Sequence, residues 1–361
     1  MKKILLSLVV TAGVSIVVHS KVLTVSNNTN SPGQYKDVQA ACDAASSYDT
    51  IYIHASEFGY GNVDVRKPLI LIGEGALPNQ QIKLETKIGA INFTHATEQS
   101  SIITSSGSKV FGIYSNFNLR YNKEGIGLSN FTFERCKGSI MSSGSGHGHS
   151  YLYINHFVGM ISGTTFSNMI VSNSIINNLS FARNGNSNLV SSNNVFRNCI
   201  FGSYAHFHGA LISNNIFYAP SENSAFTTSY STFNNNIFYL KDKPTLSNLT
   251  TTETGNLFNV DPIFENPESF ASQVRDYNFE SKGPHANFKL KTGSPALTLG
   301  TDGTQAGIYG GTTPWIDGGE GVLRYHTMPR QVPYVTDMDI LNSSILENGT
   351  LNVNIKAKVQ D

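Results

Sequence analysis

Between Asp64 and Asp242 the chain carries no aspartate, and the glutamates of its central repeats are few: Glu98, Glu124, Glu134 and Glu222. A glycosidase uses two carboxylates flanking the scissile bond, and a calcium-dependent site needs several oxygen ligands around the ion. Neither donor set is at hand in that stretch. Charge is scarce as well, at 14% of residues against about a quarter in an ordinary globular domain. The 25 basic and 25 acidic side chains cancel. No electrostatic footprint therefore exists for nucleic acid or an anionic membrane, and neither is expected as a partner. Three cysteines are too few, and odd in number, for a disulfide framework, so a large core has to carry the stability. Long apolar runs are missing too. The only candidate, residues 4–18, is shorter than the roughly 20 residues that cross a bilayer.

That first run reads instead as part of a secretory signal peptide, with Met1-Lys2-Lys3 as its charged head and Val18-His19-Ser20 as the small-residue end where cleavage is expected. The mature chain then starts at Lys21 and is secreted, periplasmic or held at the cell surface. In place of charge the sequence uses Asn, Ser, Thr and Gly, which makes a polar but neutral surface. Hydrophobic residues at 39%, with 21 Phe and 16 Tyr, argue for a packed interior rather than disorder.

A repeat decides the fold. Asn193-Asn194-Val195-Phe196, Asn214-Asn215-Ile216-Phe217 and Asn235-Asn236-Ile237-Phe238 recur with a step of 21 residues, and looser copies stand at Asn173-Ser174-Ile175-Ile176 and Gly255-Asn256-Leu257-Phe258. The string from Ser129 to Cys136 matches that from Ser192 to Cys199 at an offset of 63, three steps away. A unit of this length with short β-rich pieces and no amphipathic helix suits one coil of a β-solenoid. Stacked coils would place each Ile and Phe over the next at about 4.8 Å, in one internal column containing Val195, Ile216 and Ile237. Asn193, Asn214 and Asn235 then serve as turn residues, because Asn tolerates the left-handed region and its amide can bond to neighbouring coils as an asparagine ladder. The Asn-x-Ser/Thr sequons, including Asn92, Asn130 and Asn178, follow from that turn chemistry rather than from glycan attachment. Cys136 and Cys199 would share a phase about 14 Å apart, as buried thiols out of disulfide reach.

The chain resembles the pectin-lyase-like family of right-handed parallel β-helix proteins. The residues that carry the resemblance begin with Tyr35 to Ala45, an Ala-rich helix, and continue with Asp49-Thr50-Ile51-Tyr52-Ile53, Val63-Asp64-Val65 and Pro68 to Gly73. At the far end Asn256-Leu257-Phe258, Asp261-Pro262-Ile263-Phe264, Phe288-Lys289-Leu290, Gly293-Ser294-Pro295-Ala296 and Ala306 to Gly311 resemble the closing segment of exported bacterial members. The resemblance implies an all-β, right-handed parallel β-helix with a short N-terminal capping helix. It implies no single activity, since the family holds lyases, hydrolases, esterases and adhesins. The expected organisation is a signal peptide over 1–20, the β-helix over 21–311, and a linker with a C-terminal β-hairpin over 312–361. The hairpin strands are expected at 334–345 and 350–359, joined at Glu347-Asn348-Gly349.

For chemistry, histidine is what remains. His147 and His149 lie in the glycine-rich stretch 143–150, and His206 and His208 flank Phe207; either pair could present both rings on one face. The pairs are about three coils apart, roughly 14 Å, so no joint site, metal or cofactor is expected. Binding is easier to support. Tyr204, His206, His208, Tyr218 and Tyr230 fall within two coils and could stack on and hydrogen-bond to a polysaccharide or surface glycan, with His147 and His149 as further candidates. The expected function is therefore carbohydrate or surface-polymer binding without catalysis. The alternative is a polysaccharide lyase or glycoside hydrolase with a non-standard site, in which Arg120, Lys123 and Arg135 could neutralise a uronate.

Overall fold

The computed structural model of the chain describes residues 20–29, 33–75, 84–98, 101–120, 127–143, 148–163, 165–181, 191–218, 226–239, 252–265, 288–315, 334–340 and 353–358. The expected signal peptide falls almost wholly outside them. Among the described residues two large sheets dominate, of 12 and 11 strands. Neighbouring strands in both are parallel, as in Val22–Val25 beside Thr50–Ile53 and Lys137–Ser143 beside Val158–Gly163. Strands alternate between the sheets along the chain, so each turn of chain adds a rung to both. This is the parallel β-helix that the resemblance implied. The helix Val38–Ala44 buries Val38, Ala41 and Cys42 and packs on the first strands. It starts where the Asp37 carboxylate accepts the Ala40 N–H at 2.9 Å, satisfying a donor that the helix itself leaves open. Near the C-terminus, Tyr334–Ile340 and Val353–Lys358 pair antiparallel, shorter than the expected spans.

Two left-handed corners recur along the solenoid from Gly107 onward. The corner leading from the first sheet to the second uses Arg135, His156, Asn173, Asn198, Asn214 and Asn235, with φ between 43° and 59°. The next residue points inward and ties rungs together. Asn215 Nδ2 donates to Asn236 Oδ1 at 3.0 Å, and Asn236 Nδ2 to Asn256 Oδ1 at 2.9 Å. Each also reaches a carbonyl of the preceding rung: Phe196 from Asn215 and Ile212 from Asn236, both at 2.9 Å. The stacked amides therefore belong to the second Asn of each motif. Cys136 and Cys199 occupy the same place in earlier coils, their thiols aimed at the carbonyls of Val110 and Val171 at 3.6 Å. All three cysteines are free and buried, and burial pushes their pKa values up to about 12.

The single internal column expected for Val195, Ile216 and Ile237 needs two corrections. Ile216 does lie over Ile237, but its partner on the other side is Ile200. Val195 belongs to the first sheet, half-buried, between Ile170 and Leu211. The motif at Asn193 marks the other corner of the coil, where Asn193 has φ 55°; the motif that matches Asn214 begins five residues later, at Asn198. Second, neighbouring residues of a strand face opposite ways. Phe201, Phe217, Phe238 and Phe258 stack inside, with successive ring centroids 4.9, 4.4 and 5.0 Å apart. Val158, Ile175, Ile200, Ile216 and Ile237 face outward, into a second core closed by Phe264, Phe288, Ala296, Ala306, Ile308 and Trp315. The closing segment thus lies over the outer face of the second sheet.

The left-handed asparagines hold that cover in place. Asn173 Nδ2 donates to the carbonyls of Ile308 and Gly310 at 3.0 and 2.8 Å, and Asn235 Nδ2 to that of Leu299 at 2.7 Å. Asn214 Nδ2 reaches Thr301 Oγ1 at 3.1 Å. Trp315 Nε1 donates to the Asn173 carbonyl, and its ring meets His156 edge-on.

Candidate functional site

Register on the second sheet defines one outward column: Lys87, Tyr114, Lys137, Val158, Ile175, Ile200, Ile216, Ile237 and Leu257. From Val158 onward it is aliphatic and lies beneath the closing segment. Before Val158 it is polar and aromatic, with Tyr114 half-buried. Lys87 and Lys137, one rung to either side of Tyr114, hold their ammonium groups 5.1 and 4.6 Å from its ring centroid, within the range of cation–π attraction. Lys87 is exposed, whereas Lys137 is only 3% exposed.

An open cavity of about 410 Å³ adjoins this step, lined by Tyr114, Asn116, Lys137, Gly138, Ser139, Met141 and Met160. Its floor needs glycine. At Gly138, with φ 128°, a Cβ would come within 1.9 Å of the Ser115 carbonyl, and at Gly159 within 1.8 Å of that of Gly138. Ser139 Oγ donates to Asn116 Oδ1 at 2.6 Å. Beside the cavity runs a row of side chains bonded from rung to rung. Asn118 Nδ2 and Arg120 Nη2 both donate to Asn92 Oδ1 at 2.9 Å, and Asn92 Nδ2 donates to Asp64 Oδ1 at 2.9 Å. Arg66 pairs with Asp64 at 3.1 Å. The open half of the face thus combines an aromatic ring, amides, one hydroxyl and fixed cations.

The residues expected from sequence are dispersed. His149 is buried in the interior beside Phe166, its Nδ1 accepting the Leu128 N–H at 2.9 Å. Burial brings its pKa down to about 4. Tyr218 is buried against Tyr239 and Phe264 in the second core, and burial, followed by the neighbouring Tyr239, pushes its hydroxyl up to about 12. Asn178 pairs with Tyr204 on the second sheet, and His206 follows two residues on. His208 and Tyr230 come together, ring centroids 5.2 Å apart, with His208 Nδ1 at 2.6 Å from Ser229 Oγ. Asn193 is exposed at its corner. His147, Lys123, Glu124 and Glu222 lie outside the described residues. Arg120 joins the row beside the cavity, while Arg135 turns toward Glu134 at 3.7 Å. Among the described residues, no three of His, Cys, Asp and Glu converge as a metal site would require.

Lys87, Tyr114 and Lys137 were missed by the sequence reading. A signal exists: two residues after each corner stand Tyr114, Lys137, Val158, Ile175, Ile200 and Ile216, a series that turns from polar to aliphatic. It becomes readable once the corners are aligned in place of the Asn-Asn motifs.

The class that the fold defines is a parallel β-helix. No family model matches the chain, and no curated protein matches it. Among solved structures it is similar to a pectin methylesterase from Aspergillus niger in a penultimately deglycosylated form, at 15% identity and a TM-score of 0.33, over 73% of this chain and 98% of that one. The deglycosylated form of the Aspergillus niger enzyme matches at 15% identity and a TM-score of 0.25, over 66% and 86%. The fold assignment itself rests on the parallel registers and stacked corners.

Proposed function

We propose that this protein is exported and holds an extracellular carbohydrate polymer on the open half of its second sheet, without acting on it. One observation carries the reading: the outward column changes from Lys87, Tyr114 and Lys137 to a covered aliphatic run. A half-buried ring with amides beside it suits a sugar face and its hydroxyls. The exposed Lys87 ammonium beside the ring favours a sugar that carries a carboxylate.

The test is retention on a panel of immobilised acidic and neutral polysaccharides, paired with an assay for released reducing ends and unsaturated sugars. Tyr114→Ala and Lys87→Met are each expected to weaken binding about tenfold, a loss of about 1.4 kcal/mol. Unaltered binding by both variants refutes the reading. Release of unsaturated products from a polyuronate would replace it with lyase activity at the same face.

A further inference from the structure

The corner that leads into the first sheet forms a second row along the solenoid. Register and backbone bonds place Tyr48, Pro68, Gly107, Asn130, Tyr151, Asn168, Asn193, Gly209 and Tyr230 on successive rungs of it. Most of these residues are what a left-handed corner favours, namely glycine or asparagine. The tyrosines are not, yet Tyr48, Tyr151 and Tyr230 stand at φ 68°, 56° and 52°. A bulky side chain in this region is a costly outlier that points to a role beyond folding. All three are also exposed, at 58, 49 and 51%. Their places are regular, four rungs from Tyr48 to Tyr151 and four more to Tyr230. That is roughly 19 Å per interval at the ordinary strand spacing.

From Asn130 to Tyr230 the described residues at this corner and on either side of it carry no formal charge, whereas Lys67 and Lys109 flank it nearer Tyr48. Gly107 leaves room for the Tyr48 ring, whose hydroxyl lies 3.8 Å from where a Cβ would stand. The residue preceding the corner is Ser129, Ser150, Ser167 and Ser192 on four successive rungs. They form a file of hydroxyls beside the Asn amides.

We infer that this row is a second binding surface, a lane in which a linear, uncharged polysaccharide lies along the solenoid axis. Its sugar rings stack on Tyr48, Tyr151 and Tyr230, and its hydroxyls meet the serines and asparagines. The spacing requires a chain, since one monosaccharide cannot reach two of the rings. The uncharged described stretch from Asn130 to Tyr230 favours a neutral chain, unlike the lysine-flanked cavity on the other sheet, and the inference does not depend on that cavity.

Affinity electrophoresis of the full chain tests it, in gels containing hydroxyethylcellulose, xylan, galactomannan or polygalacturonate. The expected result is retardation by at least one neutral polymer, and competition by oligosaccharides that strengthens with length. Tyr48→Asn, Tyr151→Asn and Tyr230→Asn should each weaken retardation about 5- to 10-fold. Because asparagine already serves this corner on neighbouring rungs, the thermal midpoint of each variant should stay level or rise. A purely structural tyrosine would give the reverse, a lower midpoint. Tyr48→Asn and Tyr151→Asn should leave retardation by polygalacturonate unchanged, which separates failure of this lane from failure of the cavity. No retardation in any neutral gel, or full retardation by the triple Asn variant, overturns the inference.

Discussion

Asn236 shows how much one side chain does in this fold. Its Oδ1 accepts both the backbone N–H and the amide of Asn215, and its own amide serves the Ile212 carbonyl and Asn256. Removing it would leave several buried groups without partners, each worth about 1–3 kcal/mol. Asn236→Ala is therefore expected to lower the free energy of unfolding by about 3–5 kcal/mol. Asn236→Cys should lose roughly half as much, because the thiol of Cys199 already serves the matching carbonyl in its own coil. Urea unfolding of both variants decides the matter; a Cys variant as unstable as the Ala variant would show that the thiol is no substitute.

At the scale of elements, the closing segment behaves as a lid over apolar strands, fastened by turn residues. Asn173→Gly keeps the left-handed corner and deletes the donors to Ile308 and Gly310. Amide exchange across 303–315 should then rise about 10- to 100-fold, with the first sheet unaffected. Equal exchange in wild type and variant would mean that the apolar contacts of Trp315 and Ile308 hold the segment alone. The solenoid and its coil length were legible in the sequence because corner chemistry and strand alternation repeat. The phase was not. Both corners ask for Asn followed by a β-branched residue and Phe, so Asn193 passed for Asn198 at the level of pattern. The outward Ile column was hidden for a related reason: Ile216 and Phe217 are both buried, on opposite faces, and composition does not reveal that a distant segment covers one of them. The candidate site left still less trace, since Tyr114 and Lys137 sit outside the Asn motif and in a coil of different length.

For the molecule as a whole, the shortage of carboxylates shifts acid sensitivity onto buried imidazoles. His149 and His156 are held neutral, their pKa values brought down to about 4 mainly by burial, with Arg135 adding to the effect at His156. In the unfolded chain both titrate near about 6.5, so between that value and about 4 the unfolded state binds more protons. Stability should accordingly be level above about pH 6.5 and fall as pH drops toward 4, by up to about 1.4 kcal/mol per pH unit for each histidine. Urea titrations at pH 7, 5.5 and 4 measure the fall, and His156→Gln should remove about half of it. A profile unchanged by that variant would place acid sensitivity elsewhere.

Among the described residues, Trp315 stands beside His156 at the upstream edge of the segment that covers the second sheet. Since rungs join through the same backbone bonds, the second sheet upstream of that indole is built in whole coils. Duplicating one such coil would extend it by about 4.8 Å and leave the fastening asparagines downstream untouched. Under the proposed function, copying coils would match grip to polymer length, a modular route denied to folds that assemble their sites from scattered loops.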